Sequence, residues 1–228
     1  TELSTATASA STLTISIPLS SDGNYEFWAT AEDGLGNRSD CSATSISYTL
    51  DRSISAISQV DLTVPATSPG NTRTPTFTVT GVDSGDTVKI FTHSSCFASG
   101  QVGFGVASGA SIAIIVDAGK FTSEATYQVY ARSSDAAGNN SDCTSFSATY
   151  ELDETAPTAP TDVTLTDPSS QPGLDTTPTF AVDGLTIGNG IRLYSDSSCT
   201  AEVGSGAASS STTSVDTNPL VSDGTYSC

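Results

Sequence analysis

Between residues 52 and 153, apolar and polar positions alternate over short runs, and Gly, Pro, Asn, Asp and Ser separate the runs. A period of two marks strands with one buried face, and those five residue types mark turns. The pattern predicts seven strands, roughly 59–65, 75–80, 86–92, 101–106, 110–116, 125–133 and 143–152. In the sixth, alternation turns Tyr127, Val129 and Ala131 inward and Gln128, Tyr130 and Arg132 outward. In the third it turns Val88 and Ile90 inward and Lys89 and Phe91 outward.

The pattern is itself repeated, which fixes the organisation of the chain. Tyr25, Gly36, Asn37, Cys41, Tyr48, Leu50 and Asp51 recur 102 residues later as Tyr127, Gly138, Asn139, Cys143, Tyr150, Leu152 and Asp153. Pro69-Gly70, Thr74-Pro75-Thr76-Phe77 and Ser94-Ser95-Cys96 recur 103 residues later, so one residue is inserted between Asp153 and Leu165, in the Pro-rich segment 154–160. A linker is expected after Asp153 and, by equivalence, after Asp51. Residues 52–153 then form one complete repeat. Residues 1–51 are the back part of another (strands E–G), and residues 154–228 the front part of a third (strands A–E). Seven strands in about 100 residues is the count of an immunoglobulin-like sandwich, with strands A, B, C, C′, E, F and G. The expected fold is all-β: tandem immunoglobulin-like β-sandwich repeats of about 102 residues, incomplete at both ends.

Two local motifs accompany the repeat. Ser21-Asp22-Gly23-Asn24-Tyr25 and Ser222-Asp223-Gly224-Thr225-Tyr226 set a Tyr just inside strand F, either as a tyrosine corner or as an ordinary core residue. Asp33-Gly34-Leu35-Gly36-Asn37 and Asp135-Ala136-Ala137-Gly138-Asn139 supply residues that tolerate positive φ between F and G. The order of Ala137-Gly138-Asn139-Asn140-Ser141 and Thr155-Ala156-Pro157-Thr158-Ala159-Pro160 resembles the bacterial immunoglobulin-like tandem repeats of large secreted or surface adhesin-type proteins. The first linker, Arg52-Ser53-Ile54-Ser55-Ala56, departs from that pattern. The resemblance implies a stalk or adhesin array and no catalytic residues.

Charge and composition narrow the function classes. The net charge of -18 leaves no basic stripe for phosphates, so no nucleic acid is expected as a partner. No Met occurs, and residues 1–20 lack both a basic start and a continuous apolar run, so the chain reads as a fragment or processed product. No apolar run approaches the roughly 20 residues that cross a bilayer, so no membrane insertion is expected in this segment. An extracellular or cell-surface location is the expectation.

Candidate chemistry is sparse. His93, the one histidine, beside Ser94, reads as a surface residue, because the corresponding position is Asp196. Asp51, Asp153 and Glu154 are the calcium candidates at the junctions, set against a reading as solvated linker charges; no other cofactor is expected. Asn37-Arg38-Ser39 and Asn139-Asn140-Ser141 match the glycosylation acceptor, although their place in a turn accounts for the Asn without a sugar. Trp28, Lys89, Phe91, Tyr130, Arg192 and Tyr194 are the candidate interface or ligand face, where an outward aromatic recurs beside a basic residue. The alternative is that these rings only cover their own strands.

Cys41, Cys96, Cys143 and Cys199 are the disulfide candidates. Cys96 follows the end of strand C and Cys143 opens strand G, which predicts a separation of about 25 Å. Links between successive domains are therefore expected, with the partners of Cys96 and Cys199 beyond Cys228. Cys228 is expected as an odd core thiol in strand F. Taken together, the sequence predicts a non-catalytic structural or adhesive repeat module whose partners are neighbouring repeats, further copies of itself, or a surface receptor or glycan. At each end, either the polypeptide continues or one copy is completed by the next through strand addition. The alternative reading is a carbohydrate-binding module that uses the aromatics of the C and F strands.

Overall fold

The computed structural model describes residues 3–221; Tyr226 and Cys228 lie outside them. Among the described residues the regular elements are fourteen strands in five open sheets and one short 3₁₀ turn, Ala98–Gly100. The chain divides into two compact units, Thr1–Glu154 and Thr155–Cys228.

In the first unit, β1 (Gly23–Phe27) and β2 (Ile46–Leu50) form an antiparallel pair. A three-stranded sheet follows, with β3 (Gln59–Val64) and β7 (Ser111–Ile115) flanking β4 (Thr76–Thr80). The third sheet has β5 (Thr87–Phe91), β6 (Gln101–Val106), β8 (Ala125–Ser134) and β9 (Ala148–Leu152) in the order β6-β5-β8-β9. One core lies between the last two sheets. Val60, Phe77, Val79 and Ile114 enter it from one side, and Val88, Ile90, Val102, Val129, Ala131, Tyr150 and Leu152 from the other. Burying a side chain of this size stabilises the fold by about 1.5–3 kcal/mol before conformational entropy is counted. Gly70 closes the sheet edge beside β9, exchanging backbone bonds with Glu151 and Asp153. A Cβ there would lie 2.7 Å from Pro65 Cγ, so only glycine allows this approach.

Six of the seven expected strands fall within a residue or two of their predicted bounds. The last begins at 148 rather than 143. Residues 139–147 still run beside β8, but hydroxyls replace carbonyls in the ladder. Ser141 Oγ accepts from the Ser133 N–H (3.0 Å) and Thr144 Oγ1 from the Ala131 N–H (3.1 Å). Among residues 3–51, strands F and G form as β1 and β2, but the expected strand E does not. Its counterpart β7 pairs with β4, and residues 3–51 hold no counterpart of β4.

The expected cysteine separation is overturned: Cys96 and Cys143 form a disulfide, with Cα atoms 5.7 Å apart. The prediction assumed that strands C and G both run the full length of F. They are staggered instead. β5 pairs with Tyr130–Ser134 of β8, whereas β9 pairs with Ala125–Val129. The end of β5 and the start of β9 therefore meet at neighbouring rungs, and the bridge straddles β8, with Cys96 Sγ 3.7 Å from the Ala131 carbonyl oxygen.

In the second unit, β11 (Thr179–Asp183) lies between β10 (Asp162–Asp167) and β14 (Thr212–Asp216), and β12 (Gly190–Tyr194) pairs with β13 (Glu202–Ala207). The registers are those of the first unit: Phe180 faces Val215 as Phe77 faces Ile114. Even the irregularities coincide, at Leu165/Asp167 and Leu62/Val64 and again at Leu193/Tyr194 and Ile90/Phe91. The core is smaller, built on Val182, Ile191, Leu193, Ala208 and Val215.

Candidate functional site

Alternation along β8 buries Val129 and Ala131 and exposes Gln128, while Tyr127, Tyr130 and Arg132 are half-buried. Across the β5–β8 ladder, Lys89 faces Arg132 and Phe91 faces Tyr130. Phe91 is not an outward ring, being only 3% exposed while standing apart from the main core cluster. It sits where β5 shifts register against β6 and the chain turns into the loop that the disulfide pins. Tyr130 is half-buried, and its hydroxyl donates to Gln128 Oε1 (2.8 Å). Lys89 is exposed. Trp28 follows β1 and is 54% exposed. In the second unit Arg192 pairs with Glu202 (2.6 Å), and Tyr194 is half-buried. The six residues belong to three separate sheets or their edges.

The tyrosine-corner geometry forms twice. The Tyr25 hydroxyl donates to the Ser21 carbonyl (2.5 Å) and that of Tyr127 to the Ser123 carbonyl (2.8 Å). His93 is a turn residue: its Nδ1 accepts from the Ser95 N–H (3.1 Å), as Asp196 Oδ1 accepts from the Ser198 N–H (2.9 Å). The residue that takes its place performs the same structural task.

The junction carboxylates have protein partners. Glu154 accepts from Arg73 (Nε to Oε1, 2.8 Å), and this guanidinium holds the Glu154 carboxyl below its usual range. Asp51 accepts from the Ser53 N–H (3.1 Å). Asp51, Asp83, Asp86 and Asp135 line an open groove of about 480 Å³, yet among the described residues no three His, Cys, Asp or Glu side chains are grouped so as to hold a metal.

Asp135 is occupied by the F–G turn. Asn139 donates to it from Nδ2 and from its own N–H, both at 2.8 Å. The same Nδ2 reaches the carbonyls of Asp51 (3.1 Å) and Ser53 (3.3 Å), so the nitrogen to which a glycan would attach serves as a structural donor. Asn37 repeats the arrangement on Asp33 at 2.8 and 2.9 Å. The Asn side chain, then the backbone N–H groups, hold both carboxyls below the usual carboxylate range. A folded pKa below the unfolded one contributes stability that is complete above the unfolded value and is lost as pH falls through the folded one. Resistance to urea is therefore expected to fall below about pH 4, with a smaller fall in Asp135→Asn; an equal fall in both proteins contradicts this assignment.

An exposed apolar groove was not singled out residue by residue from the sequence. Ile15, Ile17, Leu19, Phe27, Tyr48 and Leu50 line a shallow groove of about 390 Å³ on the β1–β2 pair. The repeat is the signal that finds them. Tyr48 corresponds to Tyr150 and is 53% exposed where Tyr150 is fully buried; Ile46 corresponds to buried Ala148 and is 70% exposed. In the second unit, Phe180 is only partly buried where Phe77 is fully buried. Each exposed surface matches one half of the core between the β3-β4-β7 and β6-β5-β8-β9 sheets.

No protein-family model and no curated protein matches this chain. Among the described residues no helix is long and apolar enough to cross a membrane.

Proposed function

We propose that the chain is a run of immunoglobulin-like β-sandwich repeats serving as a non-catalytic structural or adhesive module of an extracellular or cell-surface protein. One observation carries this reading. The pairings and bulges of β3–β7 recur in β10–β14, and the β8–β9 pairing recurs in β1–β2. Repeats of this kind give length and spacing without a reaction centre. The titratable groups described above serve turns and ion pairs, which suits a scaffold better than a catalytic site. The strongly acidic balance opposes nonspecific association of neighbouring copies.

The competing reading, a carbohydrate-binding module, rests on Trp28 and the half-buried Tyr130 and Tyr194. Titration of the chain with a panel of soluble glycans separates the two. The proposal expects no saturation up to about millimolar ligand. Saturable binding that is lost in both Trp28→Ser and Tyr130→Ser would replace it with the carbohydrate reading.

A further inference from the structure

We propose that the outer face of the β6-β5-β8-β9 sheet is a docking surface for an extended segment of another protein, one that sets a carboxylate over Lys89 and Arg132 and an apolar side chain against Phe104. This surface is independent of the module reading: it requires only the closed β3–β9 sandwich.

Register builds the face. Lys89 on β5 is opposite Phe104 on β6 and opposite Arg132 on β8, and residues directly opposite across strands share one side of a sheet. Val88 and Ile90, the neighbours of Lys89, are buried in the core, so this rung points away from it. Two residues earlier on β5, Thr87 is opposite Val106. Phe104 and Val106 are 60% and 62% exposed. The face therefore carries an apolar column on β6 beside a cationic pair on β5 and β8.

Uncompensated cations stand out in a chain with 25 acidic residues against seven Lys and Arg. Arg38, Arg52, Arg73 and Arg192 each pair with a carboxylate. Among the described residues Lys89 and Arg132 have no such pair, and the Arg132 Nε–H is buried without an acceptor. Like charges directly opposite each other destabilise a sheet, so an anion seated over both relieves a repulsion that the fold carries. Carboxylate is the anion that ammonium and guanidinium groups bind through charge-assisted hydrogen bonds.

The second unit supplies the comparison. Its β12–β13 pair keeps the register and the bulge of β5–β6, so Gln101, Phe104 and Val106 correspond to Glu202, Ser205 and Ala207. There Glu202 sits on Arg192, the counterpart of Lys89, at 2.6 Å. This position of the fold thus holds a carboxylate over the cation where the chain provides one, and the apolar column is then missing. In the 59–152 sandwich Gln101 is neutral. The carboxylate has to come from a partner, and Phe104 and Val106 give that partner an apolar footing. A protein segment suits this face better than a sugar, because neither side chain offers a hydrogen bond to a hydroxyl-rich ring, and the Tyr130 hydroxyl is engaged by Gln128. A second copy of the chain is opposed by its own net charge of -18.

The test titrates the ¹⁵N-labelled 228-residue chain, with its Cys96–Cys143 bridge intact, with blocked hexapeptides that combine Glu with Leu, Phe or Val at adjacent or alternate positions. At least one peptide should shift the amides of Lys89, Phe104 and Arg132 and saturate at about 0.1–1 mM. The same peptide with Gln for Glu should bind at least about tenfold more weakly. Gln101→Glu and Phe104→Ser each install a residue that the second unit holds at that place, and each should weaken binding at least about tenfold. Gln101→Ala, which brings no charge, should leave it unchanged. Unaltered amide shifts of Val79 and Tyr150 in the core report that the variants fold. No saturation by any peptide up to about 10 mM, equal binding of the Gln peptide, or no effect of Gln101→Glu overturns the docking surface and leaves the module reading standing. Saturation by a soluble hexuronate oligosaccharide that both variants abolish would replace the two together with the carbohydrate reading. Self-association of the chain that Phe104→Ser abolishes would give the face to a second copy and overturn the assignment to another protein.

Discussion

Replacing Cys96 and Cys143 together by Ser is expected to lower the unfolding free energy of the closed sandwich by about 4 kcal/mol. The two residues are 47 apart in sequence, and cross-linking a loop of that length removes that much configurational freedom from the unfolded chain in the entropy model. The 139–147 segment stays bonded to β8 through the hydroxyls and the N–H groups of Ser141 and Thr144, but those bonds do not restrict the unfolded chain as the bridge does. Urea unfolding of wild type and variant, followed through Tyr and Phe signals of the core, measures the difference. A change below about 1 kcal/mol would mean that the bridge is not a constraint on this fold.

The second large effect is a contrast between corresponding residues. Tyr150→Ala should destabilise by about 3–5 kcal/mol, the range for removing a large ring from a packed core. Tyr150 is fully buried, and its hydroxyl donates to the Thr72 carbonyl (2.8 Å) while accepting from the Thr72 N–H (3.1 Å). Removing the ring leaves a cavity and two part-buried backbone groups without their partner. Tyr48→Ala in the dilute chain with its Cys96–Cys143 bridge intact should change stability by less than about 0.5 kcal/mol, the scale of a surface substitution. Equal effects would show that the two tyrosines share one environment, against the open half-sandwich described for β1–β2.

Much of this architecture was legible in the sequence because strand positions follow from alternation and turn chemistry, which are local. The inward set of β8 and the F–G turns are examples. The repeat carried the assignment further, since Tyr48 inherits its meaning from Tyr150. What escaped was non-local. The Cys96–Cys143 pairing depends on how far β5 and β9 each extend along β8, and the stagger of two strands on a third leaves no mark in either strand's own residues. Phe91 was assigned outward by a rule that holds only while register is kept, and the register shifts at that residue. Strand E before β1 has the right alternation, in Leu13, Ile15 and Ile17. It still requires a partner strand to complete its hydrogen bonds, and the residues around it supply none.

The acidic residues show the same division between local and non-local meaning. Asp33 and Asp135 were read as turn residues, and each folds its own turn through Asn37 or Asn139. Glu154 was read as a junction charge, but its partner Arg73 lies 81 residues before it in the chain. No spacing rule along the chain connects residues so far apart.

Residue-resolved hydrogen exchange on the dilute 228-residue chain, with the Cys96–Cys143 bridge intact and Cys41 and Cys199 replaced by Ser, tests most directly the claim that the β3–β9 sandwich is closed and the β1–β2 pair is open. In the closed sandwich the amides of Val129, Ala131 and Tyr150 should exchange only on global opening. Those of Phe27, Ala29 and Tyr48 should exchange at least about 100-fold faster, through local opening of a two-stranded sheet with no facing layer. Equal protection of the two sets in the monomer would contradict the account, since β1–β2 would then have to be covered by a layer that the described residues do not provide.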